Sequence, residues 1–224
     1  MRIAVLISFF ALVPLPGHAA CNDEPKAGVD WSGCEKQRLR LGGADLQGAR
    51  IGGADLDGTD LAKANLAGAD LSRATLDRAR LSGADLSRAK LSQASLYRSN
   101  FSSAKLVSAD LSKAELTRAN LKSADLSNAN LEKAELPRAN LEEATLTGVN
   151  LTGAGLARTN LANAKVKGAR FAQARMFLTR LEDVDLTGVL GLTQQQIDAS
   201  CGNAKTSLPA GLKRPASWPC PKED

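Results

Sequence analysis

The residues of this chain able to do chemistry are a set of carboxylates, four cysteines, one histidine and a spaced series of arginines. The histidine is His18, within the first twenty residues, so the sequence after it offers no imidazole to activate a serine or cysteine. Asp45, Asp55, Asp70, Asp85, Asp110 and Asp125 each stand directly before a leucine. A pair of carboxylates in a cleft does acid/base work. Here the acids recur too regularly to mark one cleft, and the simpler reading is solvated surface with turn hydrogen bonds. The glycines lead into no helix and so form no phosphate cradle. Cys21 and Cys34 bracket twelve residues and Cys201 and Cys220 eighteen, spacings that match no zinc or redox motif. The expectation is a protein that is not an enzyme, with no cofactor and no metal.

The arginines follow a rule. Arg73, Arg78, Arg88, Arg98, Arg118, Arg138 and Arg158 all lie two residues after a large apolar residue, and Arg78, Arg98, Arg118, Arg138 and Arg158 are spaced by 20. Asn100, Asn120, Asn140 and Asn160 share that spacing. The element that positions them is a repeat. From Leu41 to Leu186 every fifth residue is large and apolar, thirty positions in all, with Leu everywhere except Ile51, Phe101, Val166, Phe171 and Met176. Two residues before each sits a small residue, usually Ala, as at Ala44, Ala49, Ala54, Ala64 and Ala69. A period of five suits neither an amphipathic helix nor an alternating strand, and a fixed short repeat indicates a solenoid. Residues two apart in extended backbone point the same way, so each Leu and the small residue before it share an inward face. Aromatic residues are only 4% of the chain, which fits a thin core of Leu and Ala.

The phrase Ala-(Asp/Asn)-Leu-x-x resembles the signature of the pentapeptide repeat proteins, over 146 of the 224 residues. The resemblance implies an all-β fold, a right-handed quadrilateral parallel β-helix with one pentapeptide per side and 20 residues per coil. The 20-residue spacing of the Arg and Asn columns agrees independently with four sides. Thirty steps make about 7.5 coils, a rod roughly 36 Å tall at ~4.8 Å per coil. Some members of the family imitate DNA and bind type II topoisomerases. The net charge of +5 and the export signal described next argue against that role here, and no nucleic-acid partner is expected.

The flanks read as follows. Residues 1–20 form a secretory signal peptide: Arg2, an apolar run from Ile3 to Val13, then Gly17-His18-Ala19 as a small-x-small cleavage site. The run is too short to span a bilayer. The alternative is a lipoprotein signal with Cys21 as the lipidated residue. The location is therefore periplasmic or secreted, with lipid anchoring through Cys21 as the alternative. Residues 21–40 are an N-terminal cap, 41–190 the repeat, and 191–224 a C-terminal cap in which Thr193 to about Ser200 forms a short helix with a capping box. Phe177 and Leu178 fall at positions that should face water, and the C-terminal segment is expected to fold over them. Four cysteines in an exported chain suggest two disulfides. With a rod of that height between the pairs, Cys21–Cys34 and Cys201–Cys220 is the connectivity within disulfide reach.

Stacking every 20 residues places Arg50, Asp70, Lys90 and Asp110 in one self-neutralising column. The column of Arg78, Arg98, Arg118, Arg138 and Arg158 is different. Like charges rooted ~5 Å apart repel by ~0.8 kcal/mol per pair even in water. Asp77, Glu115 and Glu135 are near enough in sequence to relieve three of them. The column is read as an anion-binding stripe for an acidic protein or an anionic envelope component. The competing reading is a solvated surface on a purely structural rod.

Overall fold

A computed structural model describes residues 21–220. The signal-peptide reading falls on residues 1–20, outside the described residues. The backbone winds into a four-sided parallel β-helix in which the outward residues bridge those 20 further on, as Arg50 does Asp70 and Asn120 does Asn140, until the spacing lengthens near the C-terminal end, where Arg180 bridges Cys201 and Asp185 bridges Ser207.

One pentapeptide shows how the sequence builds a side and a corner. Asp125 N–H donates back one coil to Ala104 O (2.9 Å), and Leu126 N–H donates forward to Thr145 O (2.8 Å). Ala129 N–H closes onto Leu126 O at 2.9 Å, which makes Leu126 to Ala129 a turn. Its third residue has positive φ, the requirement of a type II turn. Every fifth residue from Gly28 to Asp183 is left-handed in this way, and the non-glycine ones lie at φ 52–60°. That conformation disfavours β-branched side chains, and no Val, Ile or Thr occupies any of these positions. The residue just before is not so restricted and includes Val107, Thr117, Thr147 and Thr152.

The Asp or Asn before each Leu also has a defined job. Its Oδ1 accepts the N–H two residues on, as Asp70 does from Ser72 (3.0 Å), Asp85 from Ser87 (2.9 Å) and Asn130 from Glu132 (3.1 Å). Such Asx turns tie the side to the corner that follows. Asn adds a bond along the axis. Asn130 Nδ2 donates to Asp110 Oδ1 at 3.1 Å, and Asn150 Nδ2 to Asn130 Oδ1 at 3.2 Å. In the neighbouring column Asn120 donates to Asn100 and Asn160 to Asn140. These ladders have a direction: the upper residue must be the donor, so Asp serves only at the foot. Asn130→Asp removes the donor and sets a carboxylate over Asp110. It is expected to cost about 1–2 kcal/mol in urea unfolding at neutral pH. Asn100→Asp, at the foot of its ladder, is expected to change little.

The interior is continuous. Leu46, Ile51, Leu56 and their successors are fully buried, as are nearly all of the small residues between them. Where a hydroxyl replaces Ala it is satisfied: Thr59, Thr159 and Thr179 each donate to a carbonyl of the preceding coil at 2.7 Å.

The stack begins earlier than residue 41. The regular turns run from Lys26, and the bridges start at Asp30 and Glu35. Most of the segment read as a cap is thus itself coil, with Val29, Trp31 and Cys34 at inward positions. Across the C-terminal end lies α1, Gln194–Asp198, with Thr193 as N-cap and a capping box through Gln196. Gln196 Nε2 donates to Phe171 O (2.7 Å) and Ala174 O (2.9 Å), meeting carbonyls of the last open coil. Ile197 and Trp218 close the apolar end. The expectation that this segment covers Phe177 is corrected: Phe177 is 59% exposed. The lid is drawn to the larger apolar area at the open end of the core, not to the side of the rod.

Candidate functional site

The two residues after each Leu form the corners of the rod. The arginine column therefore runs up a convex rib instead of a flat face. Arg78, Arg98, Arg118, Arg138 and Arg158 all occupy the left-handed corner position and are all exposed. Arg38 shares the register and backbone conformation and was missed by sequence reasoning. The signal was present: 38 lies 40 residues before 78, but the repeat was read as beginning later. Arg38 lies along Gly58, which interrupts the column.

The ion pairs differ from those expected. Arg78 pairs with Asp57, one coil down and one position offset, at 2.8 and 3.0 Å. Asp77 instead accepts from Ser95 Oγ (2.6 Å) and Tyr97 N–H (3.0 Å). Glu135 binds Arg175, two coils on. The two side chains meet over Gly155, where an added Cβ would lie 2.0 Å from Glu135 Oε2. Arg98 stacks on the Tyr97 ring at 5.1 Å. Among the described residues Arg118 and Arg138 have no ion-pair partner. Asp77 and Glu135, two of the three acids read from sequence as relief for the column, are thus turned to other work.

The column of alternating sign neutralises itself. Arg50 reaches down to Asp30 at 2.6 Å and Lys90 to Asp70 at 3.8 Å. Hydrogen bonds from Ser32 and the nearby Arg50 hold Asp30 below the usual carboxylate range. The Ser87 hydroxyl and N–H, helped by Lys105, do the same for Asp85 against a burial effect that pushes up. The Thr187 N–H and hydroxyl lower Asp185. A carboxyl with a depressed folded pKa adds stability that is present above its unfolded pKa and lost as pH falls through the folded value. No histidine lies in residues 21–220. The thermal midpoint is therefore expected to stay flat between about pH 5 and 8 and to fall below about pH 4. Scanning calorimetry across that range checks it.

Both cysteine pairs are joined. Cys21 is bonded to Cys34 and Cys201 to Cys220, with Cα separations of 5.5 and 5.4 Å. Each bond closes one end of the rod. Among the described residues no three His, Cys, Asp or Glu side chains are grouped to hold a metal ion. No described helix is long and apolar enough to cross a membrane. A shallow depression of about 430 Å³ lies along another corner, lined by Gln47, Ala67, Ser87, Arg88 and Val107, without a carboxylate.

The comparisons with known proteins agree with this architecture. The model of the family "Pentapeptide repeats" matches residues 40–78, 79–117, 114–153 and 154–190, as eight copies. No curated protein sequence matches the chain. Among solved structures, a trypsin-treated variant of QnrB1, a plasmid-mediated fluoroquinolone resistance protein, is 20% identical. The match covers 76% of this chain and 92% of that one, with a TM-score of 0.59. HetL, a pentapeptide repeat protein involved in heterocyst differentiation regulation in Nostoc sp. strain PCC 7120, is 27% identical over 78% of this chain and 91% of its own, with a TM-score of 0.44. A pentapeptide repeat protein of the Arabidopsis thaliana thylakoid lumen is 32% identical over 49% of this chain and 66% of its own, with a TM-score of 0.29. With its turns, its inward Leu and Ala columns and its family match in register, the chain belongs to the pentapeptide repeat family, whose fold is the right-handed quadrilateral β-helix.

Proposed function

We propose that this chain is a non-enzymatic, exported interaction module that binds an anionic partner through its arginine rib. The observation that carries the reading is the middle of the column. Arg118 and Arg138 project from the same corner on successive coils with no internal counter-ion among the described residues, while Asp77 and Glu135 bond elsewhere. A row of like charges opposes its own assembly, and an anion laid along it removes that repulsion. Export is supported by the two disulfides, which persist in oxidising compartments. A Cys21 sulfur bonded to Cys34 is not free to carry a lipid, so the reading favours a soluble periplasmic or secreted protein. A DNA-like role is disfavoured, since a basic rib is the opposite of a DNA-like surface.

The second reading, a structural rod without a ligand, draws on Arg78 and Arg98, which find partners within the chain. A pull-down from envelope extract at low and moderate salt separates the two. The mature protein is expected to capture a partner that salt weakens and that the Arg98→Gln, Arg118→Gln, Arg138→Gln, Arg158→Gln variant does not capture. Equal recovery by both proteins, or none by either, gives the structural reading precedence.

A further inference from the structure

The rib carries a second column beside the arginines. The residue before each left-handed corner is Tyr97, Thr117, Pro137, Ala157 and Phe177 in turn. Broad apolar rings alternate with small side chains, so Tyr97, Pro137 and Phe177 recur every 40 residues, which is two coils. Tyr97 and Pro137 are half-buried, and Phe177 is 59% exposed, uncovered by the C-terminal lid. Cations therefore repeat at every coil, ~4.8 Å, and ring platforms at every second coil, ~10 Å.

This double periodicity narrows the partner. A convex rib touches a globular acidic protein along one line only, whereas a linear polymer can follow it for its whole length. An extended acidic peptide presents same-side carboxylates every ~6.6–6.8 Å and loses register with the arginines after two coils. A linear polysaccharide of uronic acids advances by about one ring per charge. In chains whose successive rings are flipped, the same ring face returns every second sugar. Arg suits the carboxylate, since its planar guanidinium offers paired donors, and Tyr97 and Phe177 offer flat apolar area to a sugar ring face. Arg98 stacked on Tyr97 already holds one such unit in place.

We propose that the rib binds a linear carboxylated polysaccharide lying parallel to the rod axis, with a carboxylate at each of Arg98, Arg118, Arg138 and Arg158 and a ring face at Tyr97, Pro137 and Phe177. This deepens the anionic-partner reading and rests on it. The test is a set of binding isotherms for the mature chain with a uronic-acid octamer and dimer, a neutral octasaccharide, polyglutamate and inorganic polyphosphate. The proteins are wild type, Arg118→Gln with Arg138→Gln, and Tyr97→Ser with Phe177→Ser. All four substitutions are at exposed or half-buried corners, and circular dichroism confirms folding. The octamer is expected to bind best, to exceed the dimer by more than the rise in number of sites, and to weaken at least about tenfold in each variant. Polyglutamate is expected to respond to the Arg variant alone. If polyglutamate or polyphosphate binds as tightly as the octamer, and Tyr97→Ser with Phe177→Ser changes nothing, the polysaccharide assignment is overturned and the anion-binding rib stands. If no polyanion distinguishes wild type from the Arg variant, both fall.

Discussion

Leu126→Ala is expected to lower the unfolding free energy by about 2–5 kcal/mol. Leu126 is fully buried, in a column with Leu106 below and Leu146 above. Its walls are backbone held on both sides by coil-to-coil hydrogen bonds of 2.7–2.9 Å. They cannot close on a void without breaking those bonds, so the cost belongs to the upper part of the range. Leu190→Ala supplies the control. Leu190 is 53% exposed, and its loss is expected to stay within ~0.5 kcal/mol. Urea unfolding followed by circular dichroism compares the two. A loss below ~1 kcal/mol at Leu126 would mean that the interior is loose and that the rod does not depend on filled columns.

Cys201→Ser with Cys220→Ser is expected to cost about 3 kcal/mol, the scale for cross-linking a loop of this size. The effect should be local. The bond pins the segment carrying Trp218, whose Nε1 donates to Ser200 O at 2.7 Å. The indole lies against Gly202, where an added Cβ would come within 2.3 Å of the ring. Released, the segment leaves Ile197 and the last coil open, and the coil end exposes apolar core and unpaired backbone. The chain has two tryptophans, Trp31 at one end and Trp218 at the other. Acrylamide quenching should therefore rise for Trp218 and not for Trp31, read in Trp31→Phe and Trp218→Phe backgrounds. Hydrogen exchange should quicken in residues 160–190 and stay unchanged near residue 60. Uniform loosening along the rod would contradict a lid that acts on one end.

These expectations show what the repeat makes legible. A strict period fixes which side chain enters the core and which residues share a column, so the Leu and Ala positions and the arginine register could be read directly. The period also carries a turn rule that only the backbone reveals: the left-handed corner explains why Val107 is tolerated while its successor, Ser108, belongs to a series without β-branched residues. It does not fix where long exposed side chains reach. Arg78 found Asp57 instead of Asp77, because Asp77 had a hydroxyl and an N–H closer at hand. Glu135 passed over the nearer arginines for Arg175, because Gly155 leaves the space between them empty. The ends follow no period. At the N-terminal end Trp31 keeps the phase of the Leu series, but Val29, Trp31 and Cys34 replace the usual Ala and Leu at inward positions, so the segment reads as a cap. The C-terminal segment carrying α1 covers the open end of the core, which offers more apolar area, and leaves Phe177 exposed.

The central claim is that the arrangement of the arginines, not the net charge of +5, makes the rib a site. Retention on a carboxylated resin tests it with two variants of equal charge. One changes Arg98, Arg118, Arg138 and Arg158 to Gln. The other changes Lys63, Arg73, Arg88 and Lys113, which occupy the same left-handed position on the other corners. The account predicts that the first variant elutes at clearly lower salt than the second, which stays close to wild type. Elution of both at the same salt would contradict it and leave the column a solvated edge of a structural rod.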